Sequence, residues 1–102
     1  MRGTILLALC LLPALCAPPT LAAADAARGK ALHDKLCLSC HVKRYGGDGS
    51  AMYLRSDRMI HERKALDQRV ATCNAMTNAG LFPEDEADIA AYLAQRFYKF
   101  AK

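Results

Sequence analysis

Cys37-Leu38-Ser39-Cys40-His41 is the stretch on which the reading of this chain turns. Two thiols stand three residues apart, and an imidazole follows the second directly. C-x-x-C-H is the c-type haem attachment sequence, and each position has a chemical reason. Thiols at this spacing can add to the two vinyl groups of one porphyrin, and the adjacent imidazole then reaches the iron as proximal ligand. Its second ring nitrogen is expected to donate to a nearby carbonyl, which fixes the tautomer. A thioredoxin-like redox pair would need a βαβ context that the sequence lacks. A zinc site would need two more ligands at comparable spacing, and only the isolated His33 and His61 are on offer. The motif therefore predicts one covalently bound haem c per chain, held by Cys37, Cys40 and His41.

Working outward, the residues before the motif read as a helix. Ala26 to Leu36 contains no proline, and Gly29, Leu32, His33 and Leu36 fall on one helical face. His33 reads as a packing or surface residue rather than a ligand, since His41 already fills the proximal role. Tyr45-Gly46-Gly47-Asp48-Gly49-Ser50 has no apolar period and reads as a surface turn passing the haem edge. Lys64 to Cys73 places Leu66, Val70 and Cys73 at i, i+4 and i+7, a short helix, and Asn74 to Phe82 reads as loop. Pro83-Glu84-Asp85-Glu86 then opens a last helix, with proline suited to the first turn and three acids at the positive end of the dipole. Ala90, Leu93, Ala94 and Phe97 form its buried face. No strand-period segment of useful length occurs, so the fold class is all-α.

The start of the chain has a different composition. Ile5 to Ala17 is an uncharged run of thirteen residues interrupted by Pro13, shorter than the ~20 apolar residues that span a bilayer. It follows Met1-Arg2 and precedes Ala22-Ala23-Ala24, the pattern of a secretory signal peptide. We expect a leader over residues 1–24, cleaved after Ala24, although Ala24-Asp25-Ala26 is a second A-x-A match two residues on. The expected product is an exported, periplasmic domain over residues 25–102, with no stable membrane insertion. Such a small domain needs a staple. Of five cysteines, Cys37, Cys40 and Cys73 remain after the leader, an odd number that excludes a fully paired disulfide framework. Cys73, with no partner left, reads as a buried free thiol. The whole chain carries +4, and losing Arg2 leaves +3. There is no run of five like charges, which leaves nucleic-acid binding without support.

The order helix, C-x-x-C-H, loop, short helix, loop, last helix resembles a class I c-type cytochrome over nearly all of residues 25–102. Gly29-Lys30-Ala31-Leu32 and Ala91-Tyr92-Leu93 are its supporting motifs. The resemblance implies a small class I cytochrome c-like helical fold around one covalent haem, with Gly29 packed closely against Tyr92. A narrower resemblance links Cys73-Asn74-Ala75, Pro83, Ala87-Asp88 and the upstream Ser56-Asp57-Arg58 to the sphaeroides haem protein family. That likeness implies Asn74 as a distal iron ligand able to give way to oxygen. The family's second cysteine, which pairs with the one matching Cys73, is replaced here by Leu81.

The distal ligand separates two functions. A thioether closes the sixth site and raises the potential, as an electron carrier requires, whereas a weak amide leaves a site for a small molecule. Met76 lies in the expected loop before the last helix, where class I cytochromes usually place this ligand, and is our assignment. Asn74 and Met59 are the alternatives, followed by His61 or no distal ligand. Arg55 and Arg58 are candidates to hold the propionates, because guanidinium binds carboxylate bidentately; solvated loop arginines are the equal alternative. Tyr45 and Tyr53 read as lining of the haem crevice. The expected function is a periplasmic monohaem c-type cytochrome, not an enzyme, that carries one electron between redox partners. Lys30, Lys35, Lys43 and Arg44, close in sequence to the motif, suggest partners with an acidic docking surface. The runner-up is a haem module binding a diatomic ligand. A peroxidase would need a distal acid/base pair, for which His61-Glu62 is the one candidate in the sequence.

Overall fold

The computed structural model describes Gly3 and residues 23–101. Apart from Gly3, Ala23 and Ala24, the expected leader lies outside the described residues. Five α-helices follow in order: α1 (Ala26–Leu36), α2 (Leu38–Tyr45), α3 (Ala51–Leu54), α4 (Arg63–Thr77) and α5 (Pro83–Leu93). A π-helical turn, Ala94–Tyr98, continues α5. Among the described residues there is no strand, so the described domain is all-α, and none of its helices is long and apolar enough to cross a membrane.

The first and last helices make the principal packing contact. Gly29 of α1 is buried against the backbone of α5. A Cβ at this position would overlap the Asp88 carbonyl and come within 2.9 Å of the Ile89 amide nitrogen. Only a residue without a side chain lets the two backbones approach this closely. The contact falls on Asp88 and Ile89, one turn before Tyr92, the aromatic that the family resemblance suggested. Polar groups lock the crossing: the Asp25 N–H donates to Asp88 Oδ1 at 2.8 Å, and Arg28 bridges Asp88 and Asp85. Leu66 and Val70 of α4 and Ile89, Ala90 and Leu93 of α5 are buried in one apolar cluster, joined by Tyr53, Ile60 and Tyr98. Burying such aliphatic side chains stabilises by roughly 1.5–3 kcal/mol each.

Helix α4 departs from the sequence expectation. It runs through Thr77 rather than stopping at Cys73, so Asn74, Ala75 and Met76 are helical and the loop is shorter than expected. The reason lies in its polar residues. Thr72 and Thr77 turn their hydroxyls back to the carbonyls of Gln68 and Cys73, and Asn74 ties the last turns to Leu81 and Glu86. The stop is Asn78, whose left-handed backbone (φ 51°) caps the helix and donates its N–H to the Asn74 carbonyl. Two further elements went unread. The motif itself is helical in α2, and α3 is a single turn after the glycine loop.

Candidate haem-attachment site

Cys37 sits at the junction of α1 and α2, and Cys40 and His41 follow on α2. Both thiols are free, Cys37 half-buried and Cys40 exposed. Burial pushes the Cys37 thiol above its ordinary value, with Cys73 and Cys40 adding to the effect. The His41 imidazole turns inward. It stacks on Tyr53 (centroids 5.0 Å apart) and lies 5.6 Å from the Tyr45 ring and 6.4 Å from His33. Its Nε2 is 3.5 Å from the Tyr53 hydroxyl, and its Nδ1 is buried without a hydrogen-bond partner among the described residues.

Gly49 sets the back wall of this site. Its φ of 81° belongs to the left-handed region, and a Cβ there would come within 3.2 Å of His41 Cβ and 3.1 Å of the Val42 nitrogen. The turn from Gly46 to Ser50 therefore closes over α2 only with glycine at this point. Asp48 accepts from the Ser50 N–H at 3.0 Å and from its hydroxyl, which holds the turn from the other side. Burial pushes His41 below the usual histidine range and His33 adds to this, while the Gly49 backbone acts in the opposite sense. The imidazole is accordingly neutral at pH 7, the form that can ligate a metal.

Around it lies a polar relay within an aromatic shell. His33 is 3% exposed. Its Nε2 is 3.0 Å from the Tyr53 hydroxyl, and its Nδ1 is 3.1 Å from Asp34 Oδ1. His33 is thus a packed residue, as expected, though hydrogen-bonded into the site. Burial pushes the Tyr53 hydroxyl well above the tyrosine range, so it remains protonated and able to donate to one imidazole. Tyr92 faces His33 at 5.3 Å, and Phe97 faces Tyr53 at 5.2 Å. Sequence reasoning missed the Tyr53 contact because its partners are 20 and 12 residues away.

The other singled-out residues divide. Met76 is on the last turn of α4 and 79% exposed, and Met59 is 85% exposed. Neither belongs to the group around His41. Asn74 spends its amide on the fold: Nδ2 donates to the Leu81 carbonyl at 3.0 Å and to Glu86 at 2.9 Å, and Oδ1 accepts from the Leu81 N–H. Cys73 is exposed rather than buried, a correction. Its expected burial assumed that it continued the Leu66–Val70 stripe, but the buried stripe ends at Val70. Arg58 donates to the Tyr53 and Tyr98 carbonyls and covers the Tyr98 ring, so it supports the core. Arg55 pairs with the exposed Asp57. His61 and Glu62 are both exposed.

Among the described residues no cluster of three or more His, Cys, Asp or Glu side chains is arranged for a metal ion. A surface cavity of about 490 Å³ is lined by residues such as Ala91, Ala94 and Phe100 and by none of the motif. Comparison with protein-family models, curated proteins and solved structures finds no significant match.

Proposed function

We propose that the protein is a monohaem c-type cytochrome, exported to the periplasm, that carries one electron between redox partners. The observation that supports this best is His41: an inward-facing, neutral imidazole whose Nε2 lies 3.5 Å from the Tyr53 hydroxyl, one residue after two free thiols in C-x-x-C-H spacing. With ligand duty at Nε2, the buried Nδ1 is the nitrogen expected to donate to a carbonyl, and it has no such partner among the described residues. These residues fit a covalently attached haem. Bound there, the group supplies a one-electron iron couple.

The chain's own residues have distinct tasks. Cys37 and Cys40 fix the porphyrin covalently, and His41 supplies the proximal nitrogen. Tyr53, held by His33, faces His41 Nε2. Were Nε2 to hold the iron, the Tyr53 hydroxyl would keep His33 as its partner, the closer of its two imidazoles. Met76 is the proposed distal ligand. It is free of core packing, at the end of α4 next to the loop before α5, and its thioether is flexible and polarizable.

The test is an optical spectrum of ferric and ferrous protein with and without carbon monoxide. Methionine ligation gives a low-spin haem with the far-red thioether-to-iron band, and Met76→Ala removes that band and admits carbon monoxide, while Met59→Ala changes neither. A protein that is high-spin and binds carbon monoxide without mutation overturns the carrier reading. That result supports the second reading, a module binding a diatomic ligand, which the solvent exposure of both Met76 and Met59 favours.

A further inference from the structure

We propose that the Ala24–Asp25 bond is the processing site of the exported chain, and that the α-ammonium group released on Asp25 becomes the second cation of a buried carboxylate pair, Asp85 and Asp88. The inference rests on the export reading above. Its structural basis is a charge imbalance at the α1–α5 crossing. Asp85 and Asp88 are 8% and 7% exposed, yet a single guanidinium, Arg28, serves both. The remaining acceptors take neutral backbone donors: Asp85 Oδ2 from the Phe82 N–H at 2.9 Å, and Asp88 Oδ1 from the Asp25 N–H at 2.8 Å. The Phe82 and Asp25 N–H groups and Arg28 hold both carboxyls below the usual carboxylate range, and the pair still carries one more negative charge than the single guanidinium balances.

Hydrolysis at Ala24–Asp25 would supply the second cation at a nitrogen already within hydrogen-bond distance of Asp88. Catalysed by a leader-specific endopeptidase, water adds across the bond, its hydroxyl going to the Ala24 carbonyl carbon and its proton to the Asp25 nitrogen. At neutral pH the new carboxyl loses a proton and the new amine gains one. The donor already 2.8 Å from Asp88 thereby changes from an amide to an ammonium. Charge-assisted hydrogen bonds of this kind are about twice as strong as neutral ones. An ammonium at a helix start opposes the macrodipole, and here Asp88 and the capping carboxylate of Asp25 offset that.

The structure also separates the two A-x-A registers. Ala23, Ala24 and Asp25 are exposed and outside any helix, with Asp25 in an extended conformation. The alternative bond, Ala26–Ala27, lies in the first turn of α1. A product beginning at Ala27 would lose the N-cap, in which Asp25 accepts from the Arg28 N–H at 3.1 Å, and also the donor to Asp88. One beginning at Asp25 keeps both.

Intact-mass analysis of the full chain expressed in a host with an export and haem-attachment system reads the register. The expected product begins at Asp25. An α-amino group ordinarily titrates at about 7.7–8.0. In the folded protein, cyanate reactivity followed against pH should place it about one unit higher, and Asp88→Asn should return it to the ordinary value. A chain with two extra residues, Ala23-Ala24, keeps Asp88 and tests the same contact by its lower Tm, so the inference stays testable if Asp88→Asn does not fold. Processing at another bond, an ordinary titration at Asp25, or an unchanged Tm on extension overturns the inference and leaves the export reading standing. A chain that stays unprocessed overturns both.

Discussion

At Gly29 one methyl group decides whether α1 and α5 can cross. Gly29→Ala puts a carbon into the Asp88 carbonyl. Neither backbone can give way without opening the crossing, so the loss expected is about 3 kcal/mol, the upper part of the overpacking range, by denaturant unfolding. Cys37→Ser and Cys40→Ser should each prevent normal accumulation of covalently loaded protein, read by haem staining of denatured gels. Asp88 gives a pH prediction. The Asp25 N–H and Arg28 hold its carboxyl below the usual carboxylate range. Its native pKa is therefore lower than its unfolded one, and the stability it adds is complete above the unfolded value of about 3.9. That stability is lost as the pH falls from there through the native value. Tm measured from pH 6 to pH 2 should drop more steeply below pH 4 in the wild type than in Asp88→Asn. Parallel curves would show that the carboxylate adds nothing.

The end of α4 and the loop after it act as one element, closed by Asn74. Its amide reaches Leu81 twice and Glu86 once, so Asn74→Ala leaves a part-buried carbonyl and N–H without partners. The expected cost is about 1–3 kcal/mol, with faster hydrogen exchange at the Leu81 amide as the local check. A variant of unchanged stability would remove the structural role assigned here. This element also shows where sequence reading reached and where it stopped. The apolar spacing of Leu66 and Val70 and the proline and acids of α5 announce helices through local rules, and both helices form. The last turn of α4 was illegible because threonine and asparagine favour loops in isolation. The contacts that hold it, Asn74 to Leu81 and Glu86, join residues 7 and 12 positions apart. C-x-x-C-H was legible as a motif, whereas the His33–Tyr53–His41 relay was not, because it joins three separate helices. Asp85 read as a dipole partner at a helix start and Asp88 only as part of a family motif, and their burial depended on α1 lying across them.

Seen as a whole, the described domain has a small apolar core, with Leu66 and Ile89 its largest fully buried side chains. Such a core is marginal without a covalent or metal staple. Chain made without haem should therefore be largely unfolded by circular dichroism and quickly proteolysed, and a protease-resistant apo-domain would sink the idea that haem is the staple. The basic side chains near the motif, Lys35, Lys43 and Arg44, are exposed, and the chain is net positive. Electron transfer to an acidic partner should slow as ionic strength rises from low to physiological, and a flat rate would contradict electrostatic docking. The crossing at Gly29 has a kinetic corollary. It joins segments about sixty residues apart, as Arg28 and Asp88 show. Closing so long a loop costs entropy before the contact returns anything. Assembly must therefore wait for the last quarter of the chain, and a nascent chain halted before α5 holds its C-x-x-C-H thiols in an open, unstructured segment. On the proposed haem reading, both sulfurs would be open to attachment in that interval, and Ile89→Ala, by slowing the meeting of the two ends, should lengthen it.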